Sequence, residues 1–278
     1  MYRVVTKEML SPATARLEIE APHVAKRRKY GQFCIVRWDE HSERVPLSII
    51  DVDRQAGTIT LVVQVLGHSS RHLADLSAGD QIADVLGPLG QPTHLENFGR
   101  AAFVGGGIGV ACGYPLGQGL KDAGNHLATI IGFRTKELII FEDELRAISD
   151  DFLIATDDGS YGRHGFVTVI LQEYLAEHPL DFVLCVGPVP MMRAVAEVTR
   201  PLGVRTMVSL NPIMVDGTGM CGGCRVEVGG QTRFACVDGP EFDAHDVNFE
   251  LLSQRSAMYR PLEQEMLAET AGSPTHYE

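Results

Sequence analysis

The stretch of sequence that decides the fold reads Val104-Gly105-Gly106-Gly107-Ile108-Gly109-Val110-Ala111. An apolar segment precedes it and a helix-like segment follows it, as in the turn between a buried strand and a helix. Main-chain N–H groups in such a turn can face a pyrophosphate, and glycines are then needed because a side chain would hold the phosphate away. Val110 breaks the strict G-x-G-x-x-G spacing, so a glycine-rich turn with close helix packing remains an alternative.

The residues around this stretch alternate between strand and helix patterns. Strands are predicted at residues 101–104, 127–133, 152–155 and 182–186, and helices at 114–123, 142–147, 167–177 and 191–202. This alternation predicts a parallel, doubly wound α/β sheet of the Rossmann-like type. Ligands collect at the carboxyl ends of such strands, where Asp157, Asp158, Gly187 and Pro188 stand.

The end of the second predicted strand bears on the choice between NAD(H) and NADP(H). Arg134 and Lys136 could hold a 2′-phosphate, whereas Glu137 would favour a free ribose hydroxyl. The sequence leaves both nucleotides open.

The first hundred residues have a different pattern. Short alternating strands are predicted at residues 14–20, 32–38, 46–52, 58–66 and 81–85, with one helix at 70–76. Such strands with turn residues between them indicate an antiparallel barrel or sandwich. We therefore expect three domains: an antiparallel β-barrel (residues 1–98), an α/β domain (99–208), and a small C-terminal metal domain with a helical tail over 246–269 and a frayed end (209–278).

Composition excludes several classes of function. The formal net charge of −12 argues against nucleic-acid binding, and the basic run at residues 26–29 is expected to be a solvated turn. Residues 101–120 carry no charge but are too rich in glycine for a membrane helix. Residues 1–10 lack the apolar core of a secretory signal, so we expect a cytoplasmic protein.

Three of the six cysteines form a short glycine-rich cluster behind an aspartate, with the spacing Asp216-x4-Cys221-x2-Cys224-x11-Cys236. A plant-type 2Fe-2S site has this spacing with a cysteine in the first position, and we expect the two cysteines two apart to bind one iron edge. A zinc site formed by the three thiolates and Asp216 or His245 is the alternative. The other three cysteines, Cys34, Cys112 and Cys185, are predicted to be small core residues.

Taken together, these motifs resemble a known family. It comprises the ferredoxin-reductase-like electron-transfer subunits of dihydroorotate dehydrogenase and of the sulfide dehydrogenase or NAD-dependent ferredoxin:NADP oxidoreductase type. The resemblance covers nearly the whole chain. Besides the glycine and cysteine loops it includes residues 44–49, 87–90 and 156–159.

The resemblance implies that the barrel binds FAD. Arg44 would pair with a flavin phosphate, and Pro46, Leu47 and Ser48 would line the isoalloxazine. The segment with Gly67, Ser69 and Ser70 resembles a second flavin phosphate loop at the start of a helix. These assignments come from the resemblance, because an arginine at this place would more often be a surface residue.

Asp216 departs from the dihydroorotate dehydrogenase subunit, in which a cysteine is expected, and looks like the sulfide dehydrogenase or transhydrogenase small subunit. We therefore predict an electron-transfer subunit carrying FAD, a 2Fe-2S cluster and NAD(H) or NADP(H), with no side chain acting as a catalytic acid or base. The resemblance implies a larger iron-sulfur flavoprotein partner of the glutamate-synthase small-subunit type, with ferredoxin as a further candidate. The alternatives are the dihydroorotate dehydrogenase subunit, a zinc-stabilised nucleotide-binding protein without redox activity, and a stand-alone reductase.

Overall fold

The computed structural model describes residues 1–270, and the predicted frayed end at 271–278 lies outside that range. Residues 1–98 form one antiparallel sheet with two short helices. Its elements are β1 (Tyr2–Ser11), β2 (Thr14–Glu20), α1 (Pro22–Arg27), β3 (Phe33–Arg37), β4 (Val45–Asp53), β5 (Thr58–Gln64), α2 (His68–Asp75), β6 (Gln81–Ile82) and β7 (Asp84–Leu89).

The order of this sheet, β6-β1-β2-β5-β4-β3-β7, makes it a nearly closed barrel. Its edge strands β6 and β7 are separated by Ala83 alone, so the two edges of the sheet lie next to each other. Alternate residues such as Leu17, Ile59 and Leu61 fill the interior without exposure to solvent. The predicted barrel is confirmed, although β1 was not predicted and the strand expected at 81–85 is divided in two.

The remaining described residues alternate between strands and helices and end in two helices. The elements are β8 (Arg100–Gly106), α3 (Gly109–Asp122), β9 (His126–Phe133), α4 (Glu142–Ile148), β10 (Asp151–Thr156), β11 (Arg163–His164), α5 (Val167–Glu177), β12 (Phe182–Val186), α6 (Val189–Thr199), β13 (Arg205–Ser209), β14 (Arg225–Val228), β15 (Gln231–Phe234), α7 (Ala235–Asp238), β16 (Glu241–Asp243), α8 (Phe249–Ser256) and α9 (Arg260–Thr270).

The second sheet has the order β11-β10-β9-β8-β12-β13-β16 and is parallel except for β16. The order reverses at β8, which lies between β9 and β12, and ligands bind at such a reversal. This confirms the predicted doubly wound sheet. Because β16 pairs with β13, the sheet draws in a strand from the segment that we assigned to the C-terminal metal domain, and the division at residue 208 stays a prediction.

Two further features concern the surface. The basic run was expected to be a solvated turn, but α1 includes its first two residues and Arg28 is buried, with 7% of its surface exposed. That prediction is therefore wrong for Arg28. Within residues 1–270 no helix has both the length and the apolar character that crossing a bilayer requires.

Candidate functional site: two ligand loops, a flavin strand and a cysteine loop

The two loops predicted to hold the nucleotide lie together at the reversal of the second sheet. A Cβ atom built on Gly187 would come within 3.3 Å of the main-chain nitrogen of Gly106. Met191, in the first turn of α6, packs against both glycines. The carboxyl end of β8 thus adjoins Gly187 and Pro188 at the end of β12, and together they border one crevice.

The glycines of the first loop are explained mainly by packing inside the protein. A Cβ on Gly106 would overlap Met191, and one on Gly109 would lie 2.6 Å from the carbonyl carbon of Val186. A Cβ on Gly105 would meet Phe103 at 2.9 Å. Only Gly107 of the four borders open space, with a φ of +54°. Close packing, the alternative left open by the sequence, therefore accounts for Gly105, Gly106 and Gly109, and a role of these glycines in phosphate binding stays a prediction.

The residues that bear on nucleotide choice are exposed and close together. Asp158 N–H donates to the main-chain oxygen of Arg134 across 3.2 Å. The hydroxyl and N–H of Ser160 both donate to Asp158 and hold the pKa of its carboxyl below the usual range. Arg134 and Asp157 both expose their side chains to solvent beside this turn. The structure thus gathers the predicted residues at the ends of β9 and β10.

The predicted flavin residues lie along β4. The barrel alternation turns Leu47 inward, where it packs against the barrel core opposite Cys34. Pro46 and Ser48, one residue to either side, therefore point away from the barrel axis. Arg44 is exposed just before the strand and forms no ion pair with a side chain of residues 1–265, the range in which side chains are described. Contact of the Leu47 side chain with a flavin ring remains an untested prediction that this packing disfavours.

The predicted second phosphate loop opens helix α2. The Ser70 hydroxyl accepts hydrogen bonds from the main-chain N–H groups of Leu66 and Gly67 and so caps the helix. Ser69 contacts the carboxylate of Glu43, the neighbour of Arg44, which brings the two predicted phosphate segments together. A Cβ on Gly67 would meet nothing within 4 Å, so the helix N-terminus borders open space. A phosphate could reach main-chain N–H groups there.

Strand β4 lies between two loops: the glycine loop after β8, called the nucleotide loop from here on, and the cysteine loop that contains Asp216, Cys221 and Cys224. On one side, burial raises the pKa of the Cys112 thiol of α3, which is within hydrogen-bonding reach of the Ser48 hydroxyl. On the other side, Pro46 pairs with Ile35 of β3. A Cβ on Gly217, in the cysteine loop, would lie 3.0 Å from Ile35. Adjacent strands are about 4.8 Å apart, so β4 is one strand away from the cysteine loop.

The four predicted metal ligands form two pairs in the structure. Both oxygens of Asp216 are engaged, one by Thr218 N–H at 2.9 Å and one by Cys221 N–H at 2.7 Å. The sulfurs of Cys224 and Cys236 are 3.2 Å apart, and both residues are buried. The thiol next to Cys224 is therefore Cys236, and the expectation that Cys221 and Cys224 share one iron is not supported.

This arrangement fits a two-iron cluster better than a single ion. Burial and the neighbouring Cys224 thiol raise the pKa of Cys236 to about 12, so two thiolates can coexist there only beside a cation. A two-iron cluster needs two pairs of ligands, one for each iron. Among the described side chains, those of residues 1–265, no group of three His, Cys, Asp or Glu residues lies close enough together to hold a metal ion. His245 instead contacts Thr199 at 3.0 Å.

Two groups near the site, the buried Arg28 and the half-buried Glu241, were missed from the sequence. Arg28 donates to main-chain oxygens of β4, and Glu241 accepts hydroxyl hydrogen bonds from Thr93 and Ser209. Desolvation raises the pKa of Glu241 to about 7. Neither had a motif to reveal it, since Glu241 lies in a three-residue strand. Cys185 is fully buried in β12, as the core assignment predicted.

Comparison with known proteins agrees with this geometry. The family model of the iron-sulfur cluster binding domain of dihydroorotate dehydrogenase B matches residues 211–248. The dihydroorotate dehydrogenase B (NAD(+)) electron transfer subunit homolog of Thermotoga maritima is 44% identical, covering 98% of this chain and 97% of its own length. The electron transfer subunit of Geobacillus thermodenitrificans is 36% identical over 88% of this chain and 96% of its length.

Among solved structures, a chain of an NADH-dependent reduced ferredoxin-NADP oxidoreductase, studied for flavin-based electron bifurcation, superimposes with a TM-score of 0.92. It is 40% identical, with 98% of both chains covered. The predicted family, cofactor classes and electron-transfer role are confirmed at this level. The chain therefore belongs to the family of dihydroorotate dehydrogenase B electron transfer subunits and their homologues, and it is an electron-transfer subunit of an oxidoreductase.

Proposed function

We propose that the chain transfers electrons between NADH or NADPH, an FAD bound against β4, and a 2Fe-2S cluster in the cysteine loop. The observation that carries the proposal is the position of β4. Its Ser48 reaches Cys112 of the nucleotide helix α3, and its Pro46 pairs with Ile35, which packs on the cysteine loop. A flavin held by this strand would lie between the other two carriers.

The bound FAD would exchange a hydride with the nicotinamide and single electrons with the cluster. The protein residues position the groups. Arg44 and the open N-terminus of α2 hold the flavin phosphates, and Gly107 leaves room for the nucleotide pyrophosphate. Asp216, Cys221, Cys224 and Cys236 would hold the cluster, since Asp216 lies beside Cys221 and Cys224 lies beside Cys236. Orientation and exclusion of water suffice here, so no acid or base is assigned.

The partner is proposed to be a larger iron-sulfur flavoprotein of the glutamate-synthase small-subunit type, with ferredoxin as a further electron carrier. Support comes from the surface of the cysteine loop. Met220 is 87% exposed and Val215 is 48% exposed, and both lie in the segment that leads to the exposed Cys221. A partner bound at the cysteine loop would cover these apolar side chains. Free thiols in this chain suit the reducing cytoplasm, where we place the complex.

Within the family we assign the chain to the ferredoxin:NADP oxidoreductase and sulfide dehydrogenase type. Asp216 supports this assignment, because the dihydroorotate dehydrogenase subunit is expected to carry cysteine there. Coverage does not separate the two types, because the oxidoreductase chain and the Thermotoga subunit homolog both align over 98% of this chain. A dihydroorotate dehydrogenase subunit is the second candidate, favoured by the family model over residues 211–248.

Cofactor content tests the carrier set. The purified chain is kept anaerobic, its visible spectrum is recorded, and iron, sulfide, zinc and flavin are measured in the same sample. We expect flavin bands with about two irons and two sulfides per chain. Zinc without iron, and no flavin after reconstitution of a folded sample, would contradict the proposal.

Purification from the native source tests the partner. We expect the chain to co-elute with a larger iron-sulfur flavoprotein, and a Met220→Asp variant to lose it while an exposed control, Leu202→Asp, retains it. A chain that elutes alone and turns over a small substrate unaided would contradict the proposed partner. Addition of dihydroorotate or of reduced ferredoxin to the complex then separates the two candidate types.

A further inference from the structure

Strand β4 contains a β-bulge directly after the predicted flavin residues. Ile49 pairs with Leu61 and Asp51 pairs with Thr60, so Ile50 is an extra residue in the ladder. A bulge leaves its extra residue unpaired and redirects the side chains beside it. Here the bulged Ile50 leaves the barrel interior and packs in the core formed by α3 and the second sheet.

The buried Arg28 completes this bulge. Its Nη2 donates to the main-chain oxygen of Ile49 at 2.9 Å and to that of Ile50 at 3.3 Å. Both hydrogen bonds are buried, and together they bind the two carbonyl groups where the register slips. One guanidinium therefore replaces hydrogen bonds that a regular ladder would have supplied.

Arg28 is an expensive residue for this purpose. It is 7% exposed, and among the described side chains, those of residues 1–265, it forms no ion pair and its Nε has no hydrogen-bond partner. Desolvation by burial lowers the pKa of Arg28 from its usual value, although the nearby Tyr30 and Asp51 act in the opposite direction. An apolar side chain of similar length would fill the space at lower cost. The cation is thus explained by its two hydrogen bonds to β4 and not by packing alone.

The same side chain connects β4 to the nucleotide helix. The guanidinium lies over the ring of Tyr30, 5.0 Å from its centroid. The Tyr30 hydroxyl donates to Asp122, the last residue of α3, at 3.0 Å. A Cβ on Gly119 of α3 would lie 3.0 Å from the Tyr30 ring, so helix and ring are in close contact. Arg28 thus contacts the flavin strand directly and α3 through Tyr30.

We propose that Arg28 is a positioning residue for hydride transfer, which fixes the β4 bulge and so sets the flavin-facing Ser48 relative to the nucleotide loop at the start of α3. The inference rests on the proposed binding of flavin at β4. Hydride transfer requires the reacting atoms to be about 3–3.5 Å apart, and a displacement of about 1 Å can cost on the order of 100-fold in rate. Residue 28 touches neither cofactor in this proposal and acts through β4.

The test compares Arg28→Met, Arg28→Lys and Arg27→Met, the last being the exposed neighbour as control. Each chain is reconstituted with FAD, and the visible flavin spectrum, the FAD dissociation constant and the rate of flavin reduction by NADH are measured. For both Arg28 variants we expect an altered spectrum and a reduction rate at least tenfold lower, with the apparent NADH affinity changed less than threefold. Arg27→Met should match the wild type.

The outcomes are distinguishable. If the wild-type chain binds no flavin, that result contradicts the proposed function and not only the role of Arg28. If Arg28→Met does not fold, the Lys variant decides, because it keeps the charge and most of the packing but lacks the planar guanidinium. A folded Arg28→Lys with the wild-type spectrum and reduction rate, or one that loses only thermal stability, would overturn the positioning role.

Discussion

The glycine loop and the cysteine loop are both rich in glycine, yet their surroundings differ. In the first, the space beside Gly105, Gly106 and Gly109 is occupied by the protein's own atoms. In the second, a Cβ on Gly223 would have its nearest neighbour, the Cys221 sulfur, at 3.5 Å, which is ordinary contact. Three glycines of the nucleotide loop are therefore packed tightly against the protein. The cysteine loop is packed tightly at Gly217, but around Gly222 and Gly223 it has only ordinary contacts and depends on its ligands.

Loss of the cluster should have the largest effect, and it should be confined to one region. Cys224→Ser removes a buried ligand, and metal binding of this kind contributes several kcal/mol to folding. We expect loss of iron and of amide protection over residues 216–238, measured by hydrogen exchange. Residues 101–109 should keep their protection, and an equal loss in both regions would contradict the contrast.

An added methyl group should destabilise the nucleotide loop more than the cysteine loop. Gly109→Ala places a Cβ against the main chain of Val186, and we expect a loss of roughly 1–3 kcal/mol in unfolding free energy. The matched variant Gly223→Ala should cost less than about 0.5 kcal/mol, because its Cβ meets only ordinary contacts. Thermal unfolding of both variants provides the comparison, and similar losses would show that packing does not differ.

The ligand Asp216 offers a smaller, electronic test of the cysteine loop. A carboxylate donates less charge to iron than a thiolate does, so Asp216→Cys should lower the cluster midpoint potential by roughly tens of millivolts and make the cluster less labile. A spectroelectrochemical titration measures the shift. An unchanged potential would indicate that Asp216 only caps its loop through Thr218 and Cys221.

The smallest expected effect is a change in the pH dependence of stability, and it concerns Glu241 of β16. Glu241, whose pKa is about 7, is favoured in its protonated form in the folded chain. The unfolded state binds fewer protons between about pH 4.5 and 7, so this group lowers stability as pH rises through that window. Glu241→Gln should flatten the pH dependence of Tm between about pH 4.5 and 7. At pH values above 7, the Tm of the variant should be higher than that of the wild type. A wild-type pH profile in the variant would contradict this assignment.

The sequence predicted elements with a strong local signal and missed those that depend on distant contacts. The alternation of residues 101–186 gave the doubly wound sheet, because apolar strands and helices repeat with distinct periods. The basic run predicts that Arg28 is solvated. The bulge with which Arg28 is buried lies in β4, far along the chain, and the run gives no sign of it. Likewise, the pairing of Cys224 with Cys236 depends on α7 folding back beside the loop.

The glycine loop illustrates the same limit. Its position between β8 and α3 was predicted, but the sequence left open whether phosphate binding or close packing explains its glycines, because Met191 and Val186 approach from later in the chain. Spacing alone also left zinc and iron open, and the two ligand pairs favour iron. What a motif contacts cannot be read from the motif itself.

The central claim is that a flavin held at β4 connects the nucleotide to the cluster, and rapid mixing tests it most directly. The oxidised chain is mixed with NADH, and the reduced chain is mixed with NAD+, so that electron transfer is thermodynamically favourable in one of the two experiments. The redox state of the cluster is followed by electron paramagnetic resonance. FAD-loaded and FAD-depleted samples, both containing iron, are compared. We predict that electrons move between nucleotide and cluster only in the loaded chain. Equal rates in the depleted chain would contradict the account.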